Sequence, residues 1–160
     1  MEFYKKRVFL NKLIKLIEHC NDIILNIYNN EFDIEYKNDK SPLTNADIEC
    51  NNYICNNLRK LNDELKMDIL IISEENKNLE YEKRKNYDWV WLVDPLDGTK
   101  EFMKKNGQFT VNIGLCYKQE VIFGIVGIPV KGDIYYGIKD IGSYKYSNNI
   151  INKIKINKNK

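Results

Sequence analysis

Residues 4–28 carry apolar side chains at three- and four-residue steps (Val8, Leu10, Leu13, Ile14, Ile17, Ile24 and Ile27) with Lys and Asn between them. That period predicts one long amphipathic helix whose stripe packs on a core. Residues 32–36 read as a short strand, and residues 37–47 as a loop marked by Pro42 and an Asn/Asp cluster. A second helix is predicted from Thr44 to about residue 61, with Thr44 as N-cap and Asp47 three positions on, in capping-box register. The apolar runs at 68–72 and 89–93 have strand length. Between them, residues 76–88 are polar and aperiodic, the mark of a mobile surface loop. From residue 109 the pattern turns to strands at 109–117, 121–129, 133–137 and 142–146, and residues 150–156 add one more. Their short connections predict consecutive antiparallel pairing. The sum is an α+β fold, two helices packed on a largely antiparallel sheet.

Composition narrows the class. A chain of 160 residues, 43% hydrophobic and 30% charged, suits one globular domain with a sizeable core. A net charge of +2, with both signs interspersed, gives no pull toward nucleic acid. The basic segment after Tyr146 has no aromatic ring on which a base could stack, so it reads as a frayed terminus. No signal peptide precedes the first helix and no apolar run has membrane-spanning length, so a soluble, cytoplasmic protein is expected. Cys20, Cys50, Cys55 and Cys116 form no C-x-x-C pair, and His19 is the single histidine. These are expected to be reduced thiols rather than zinc ligands.

The chemistry gathers where the run at 89–93 meets Asp94, Pro95, Leu96, Asp97, Gly98 and Thr99. Two carboxylates at a strand's end can share one hard cation or divide between two, and Mg²⁺ takes such oxygen ligands together with phosphate. Pro95 biases Asp94 toward an extended conformation, which leaves the Leu96 carbonyl free as a further oxygen. Gly98 lets the backbone come close, and the amides of Gly98 and Thr99 at a helix start suit a phosphate. D-x-x-D-G alone is also an ordinary turn. Glu74 and Glu75 follow the strand at 68–72, and neighbouring side chains point to opposite faces, so only one turns inward. Asp47 has a purely structural alternative, the cap of its own helix.

The strings D-P-L-D-G-T-K-E-F and F-T-V-N-I-G-L, with K-x-D-x-S-P-x-T-x-A-D and S-E-E upstream, resemble the metal-dependent inositol monophosphatase superfamily. Within it they are most similar to bisphosphate nucleotidases of the bacterial CysQ type. The resemblance implies a site for two or three Mg²⁺ ions held by Glu74, Asp94, Asp97 and the Leu96 carbonyl. It pairs Asp47 with Thr99 to orient the attacking water and gives the phosphate to the Gly98 and Thr99 amides. Lys37 falls near the metals, and Glu75 acts through a bound water. The implied partner is a small phosphate ester, 3′-phosphoadenosine 5′-phosphate, which loses its 3′-phosphate. An inositol- or sugar-phosphate phosphatase and an inactive, oligomerising binding module are the alternatives.

Residues 1–160 would then be the N-terminal metal-binding domain. Members of the superfamily continue into a second α/β domain with a W-D-x-A-type motif and most substrate contacts, and this sequence contains no W-D pair. The expectations are weak Mg²⁺ binding, little turnover by the chain alone, and self-association through a sheet face that the second domain covers. Peripheral placement at the cytoplasmic side of the inner membrane is a further suggestion of the resemblance.

Overall fold

A computed structural model of the chain describes residues 2–76 and 79–155. After a 3₁₀ turn at Phe3–Lys5, the first apolar stripe forms helix α1 (Arg7–Tyr28). Phe9, Leu13, Ile17, Cys20 and Ile24 lie on its buried side. Val8 is 68% exposed, contrary to the predicted stripe. At 100° per residue it points away from the line through Leu13 and Ile17, and its neighbour Phe9 takes the core position instead.

The short strand expected at 32–36 forms, and the segment after it, expected to be a loop, supplies its hairpin partner. β1 (Ile34–Tyr36) pairs antiparallel with β2 (Pro42–Thr44), with Tyr36 opposite Pro42. Pro42 is tolerated because it opens a strand at the edge of a two-stranded ribbon. Helix α2 (Asn45–Leu65) starts after Thr44 as predicted and runs past residue 61 to a left-handed cap at Lys66, φ 53°. The Lys66 amide donates to the carbonyls of Asn62 and Asp63 there, which ends the helix.

β3 (Leu70–Ser73) leads into a short helix α3 (Tyr81–Arg84) inside the predicted polar loop, of which residues 77 and 78 lie outside the described part. β4 (Trp89–Asp97) is four residues longer than the apolar run. Its partner β5 (Thr110–Tyr117) keeps pairing beyond Asp94, across a register shift between Asp94 and Asp97. Helix α4 (Thr99–Met103) joins them. β6 (Glu120–Ile128), β7 (Asp133–Ile138), β8 (Gly142–Ser147) and β9 (Ile150–Ile154) follow as antiparallel neighbours. The seven-stranded sheet has the order β3-β4-β5-β6-β7-β8-β9, and only the β3–β4 pair is parallel. Residue 156, assigned to the last strand from the pattern, lies outside the described residues.

α1 and α2 pack on one face of this sheet. Trp91 is fully buried there, its ring stacked 6.1 Å from Phe9 and its indole N–H donating to Asn62 Oδ1 at 3.0 Å. Leu92, on the other face, is 42% exposed. In register across that face lie Gly114, Gly124 and Gly137. The helix face has the opposite demand at Gly127, where a Cβ would stand 2.5 Å from Ile17 Cγ2 and 2.7 Å from Asn21 Oδ1. Gly127→Ala is therefore expected to cost about 2 kcal/mol, as overpacking of a fitted contact does. Urea denaturation measures it, and a loss below about 0.5 kcal/mol would show that α1 shifts freely.

Candidate metal centre

Three elements deliver the acids to one region. β3 ends at Ser73 and turns through Glu74 and Glu75, with the Glu74 amide donating to Val93 O at 3.1 Å. That bond extends the parallel ladder and fixes the Glu pair beside Asp94. The turn is tied to α2 by a buried polar group: Ser73 Oγ donates to Asn51 Oδ1 at 2.6 Å, and Asn51 Nδ2 to Asn76 Oδ1 at 3.0 Å. The bulged end of β4 carries Asp94, Leu96 and Asp97. The first turn of α2 carries Asp47.

Asp47 makes both the contacts of a helix cap and the bond to Thr99 that the resemblance implies. Its Oδ2 accepts from the Thr44 amide at 2.7 Å and from the Thr44 hydroxyl at 2.5 Å, completing the cap. Its Oδ1 accepts from Thr99 Oγ1 at 3.0 Å, across 52 positions of sequence. The same Thr99 hydroxyl lies 3.3 Å from the Leu96 carbonyl oxygen. Burial pushes the Asp47 carboxyl up, against the lowering effect of the Thr44 and Thr99 bonds.

Asp94 has the sharpest electrostatics. Its Oδ1 is buried with no hydrogen-bond partner among the described residues. Burial, then the charges of Glu74 and Asp97, push its carboxyl up to about 6. Asp97 is exposed and accepts from Asn112 Nδ2 at 3.2 Å. Glu75 is raised by burial, with Lys37 acting in the opposite direction. Lys37 Nζ donates to Glu75 Oε1 at 2.7 Å and to Glu74 Oε1 at 3.3 Å.

Among the described residues, no three His, Cys, Asp or Glu side chains stand together as a ready-made cation cage. Asp47, Glu74, Glu75 and Asp97 each accept a hydrogen bond from a neighbouring donor, while the buried Asp94 Oδ1 has none. The donor chemistry nevertheless fits a hard cation. The groups are carboxylate oxygens and a carbonyl, and one buried carboxylate oxygen is unpartnered amid other carboxylates, a costly arrangement unless positive charge enters. All four cysteines are free and buried, and Cys55 hydrogen-bonds Asn51 and Asn76 behind the Glu turn. Gly98 adopts φ 95°, and Thr99 opens α4 directly after it. Two participants escaped the sequence pattern. Asn112 stands opposite Asp94 in the β4–β5 register, which strand pairing alone would reveal. Asn51 reaches the Glu turn from mid-helix, and nothing in its spacing points there.

A model of the inositol monophosphatase family matches residues 5–160. The chain belongs to the inositol monophosphatase family. The chain is 41% identical over 129 residues to the 3′(2′),5′-bisphosphate nucleotidase CysQ of Salmonella typhimurium, covering 79% of this chain and 50% of that protein. The crystal structure of CysQ from Bacteroides thetaiotaomicron superposes with a TM-score of 0.70 at 35% identity, over 86% of this chain and 49% of that one. An IMPase/NADP phosphatase complexed with Mg²⁺ and phosphate shares the fold, with a TM-score of 0.71 at 20% identity over 85% of this chain and 50% of that chain. The chain spans about half the length of the curated relatives it matches. As a family member it keeps the α+β architecture, and among its described residues no helix is long and apolar enough to cross a membrane.

Proposed function

We propose that this chain forms the metal- and phosphate-handling half of a Mg²⁺-dependent phosphomonoesterase that removes the 3′-phosphate of 3′-phosphoadenosine 5′-phosphate. The observation that carries this is the buried, unpartnered Oδ1 of Asp94 set among the charges of Glu74, Asp97 and Glu75. The likeness to nucleotidases, 41% and 38% identical over most of this chain, supports the choice of substrate.

Glu74, Asp94, Asp97 and the Leu96 carbonyl would hold two or three Mg²⁺ ions, which when bound lower the pKa of water and offset charge on the phosphate. Thr99 Oγ1, held by Asp47, orients a water in line with the phosphorus. Asp47 accepts the water's proton through that hydroxyl, and its raised pKa suits it to the task. The Gly98 and Thr99 amides hold the non-bridging oxygens. The water oxygen bonds to phosphorus, the bond from phosphorus to the 3′-oxygen breaks, and that oxygen takes up a proton from solvent, which balances the one passed to Asp47. Inorganic phosphate and adenosine 5′-phosphate result.

Calorimetric Mg²⁺ titration and single-turnover phosphate release test this. The expected result is saturable Mg²⁺ uptake with slow, Mg²⁺-dependent release that favours 3′-phosphoadenosine 5′-phosphate over inositol 1-phosphate. Release from inositol phosphate alone would overturn the substrate, and absence of Mg²⁺ uptake would point to a binding module. Steady-state turnover by the chain is expected to be low, because it spans about half the length of the nucleotidases it resembles. Rapid turnover would refute that expectation.

A further inference from the structure

Lys37 leaves the hairpin from a pinned backbone. Its amide donates to Ser41 O at 2.9 Å, and its carbonyl accepts from the Lys40 amide at 2.8 Å. Asp39 closes the same turn, accepting from the Ser41 amide at 2.9 Å and the Ser41 hydroxyl at 2.6 Å. From this base the side chain crosses to the end of β3 and sets its ammonium against both glutamates. The two contacts differ in depth. Glu75, at 2.7 Å, has a side chain 8% exposed, while Glu74, at 3.3 Å, is 55% exposed. Among the described residues no other Lys or Arg pairs with Glu74, Glu75, Asp94 or Asp97.

We propose that Lys37 is a tethered counter-ion that competes with the divalent cation for Glu74. This rests on the reading of Glu74, Asp94 and Asp97 as the metal ligands. Without a divalent cation, the ammonium offsets part of the charge of the Glu74–Glu75 pair and keeps the acid-rich turn folded. A dication on the same carboxylate repels an ammonium a few ångströms away, so one of the two must yield. The geometry says which. The Glu74 contact is the longer and more exposed one, and the four-carbon stem of lysine withdraws from it toward Glu75 and solvent without moving the pinned turn. The Glu75 contact is short and shielded, and it persists. Lys37 thereby trades metal affinity for stability of the metal-free chain.

Lys37→Met and Lys37→Arg test this by Mg²⁺ calorimetry and by melting in EDTA, neither of which depends on turnover. Lys37→Met is expected to bind Mg²⁺ roughly five- to tenfold more tightly, the worth of about one partly screened ion pair, and to melt lower than wild type in EDTA. Lys37→Arg, whose fork grips two carboxylates at once, is expected to bind Mg²⁺ more weakly. Equal or weaker Mg²⁺ binding by a folded Lys37→Met, with normal uptake by wild type, would overturn the competition alone. No saturable uptake by wild type would overturn the metal reading and this inference with it. Should Lys37→Met not fold, Lys37→Arg decides: weaker Mg²⁺ binding supports the competition and unchanged binding refutes it.

Discussion

Replacing Asp94 with Asn is expected to raise the melting temperature of the metal-free chain and to erase its response to Mg²⁺. The Asp94 carboxyl is pushed to about 6, first by burial and then by Glu74 and Asp97. A carboxylate whose folded pKa lies above its unfolded one opposes folding once ionised, so its cost is fully present above about pH 6. The rise is nominally worth about 3 kcal/mol, which solvent screening of a half-buried group cuts to about 1 kcal/mol. Asn keeps the shape and drops the charge, so about 3 °C is gained at pH 7.5 in EDTA. The gain fades as pH falls from about 6 to about 4, where the acid is protonated in both states. Mg²⁺ should act in the opposite sense. At ten times its dissociation constant it stabilises wild type by about 1.4 kcal/mol and the variant not at all. Thermal melts with and without Mg²⁺ at two pH values check both halves. A variant that still gains from Mg²⁺ would remove Asp94 from the ligand set.

Gly98→Ala is expected to cost more stability than any other single methyl considered. Its φ of 95° is left-handed, and an added Cβ would stand 2.8 Å from the Gln108 carbonyl oxygen and 3.3 Å from Phe109 Cα. Both neighbours are backbone, so neither can rotate aside. Left-handed strain of about 1–2 kcal/mol and a comparable overpacking cost sum to about 3 kcal/mol. Phe109 cannot retreat cheaply, being packed 5.2 Å from the Phe102 ring and 4.9 Å from that of Tyr28. The strain falls next to Thr99, so the bond to Asp47 should loosen and Mg²⁺-dependent phosphate release should fall with stability. A urea midpoint shift at constant slope measures the first effect. A loss below about 1 kcal/mol would mean that the β4–α4 corner is softer than its geometry implies.

Periodicity sufficed for the two helices and the antiparallel run, because each buries one face and its apolar side chains recur accordingly. It failed where a partner decides. Pro42 reads as a loop marker and the apolar run stops at residue 93, yet Pro42 and Pro95 each sit in a strand, because pairing with Tyr36 and continued pairing with β5 outweigh the local signal. Helix α3 spans four residues and buries none, so it leaves no stripe to detect. In the candidate site, the spacing of Asp94 and Asp97 allowed either a cation site or an ordinary turn, and the longer string around them carried the metal reading. Asp47–Thr99 and Lys37–Glu75 join residues 52 and 38 positions apart; the family resemblance paired the first, and the second appears only with the fold. Asn51 and Asn112 carry no signature, since a polar residue on a helix or strand is ordinary until its neighbour across space is known.

The division of Asp47 between two tasks has an evolutionary corollary. One oxygen starts a helix and the other holds the Thr99 hydroxyl, so under the proposed mechanism selection cannot tune proton handling here without also changing how firmly α2 begins. Drift at this position is penalised twice. A homologue released from catalysis but still required to fold should therefore lose Asp94 or Thr99 well before it loses Asp47.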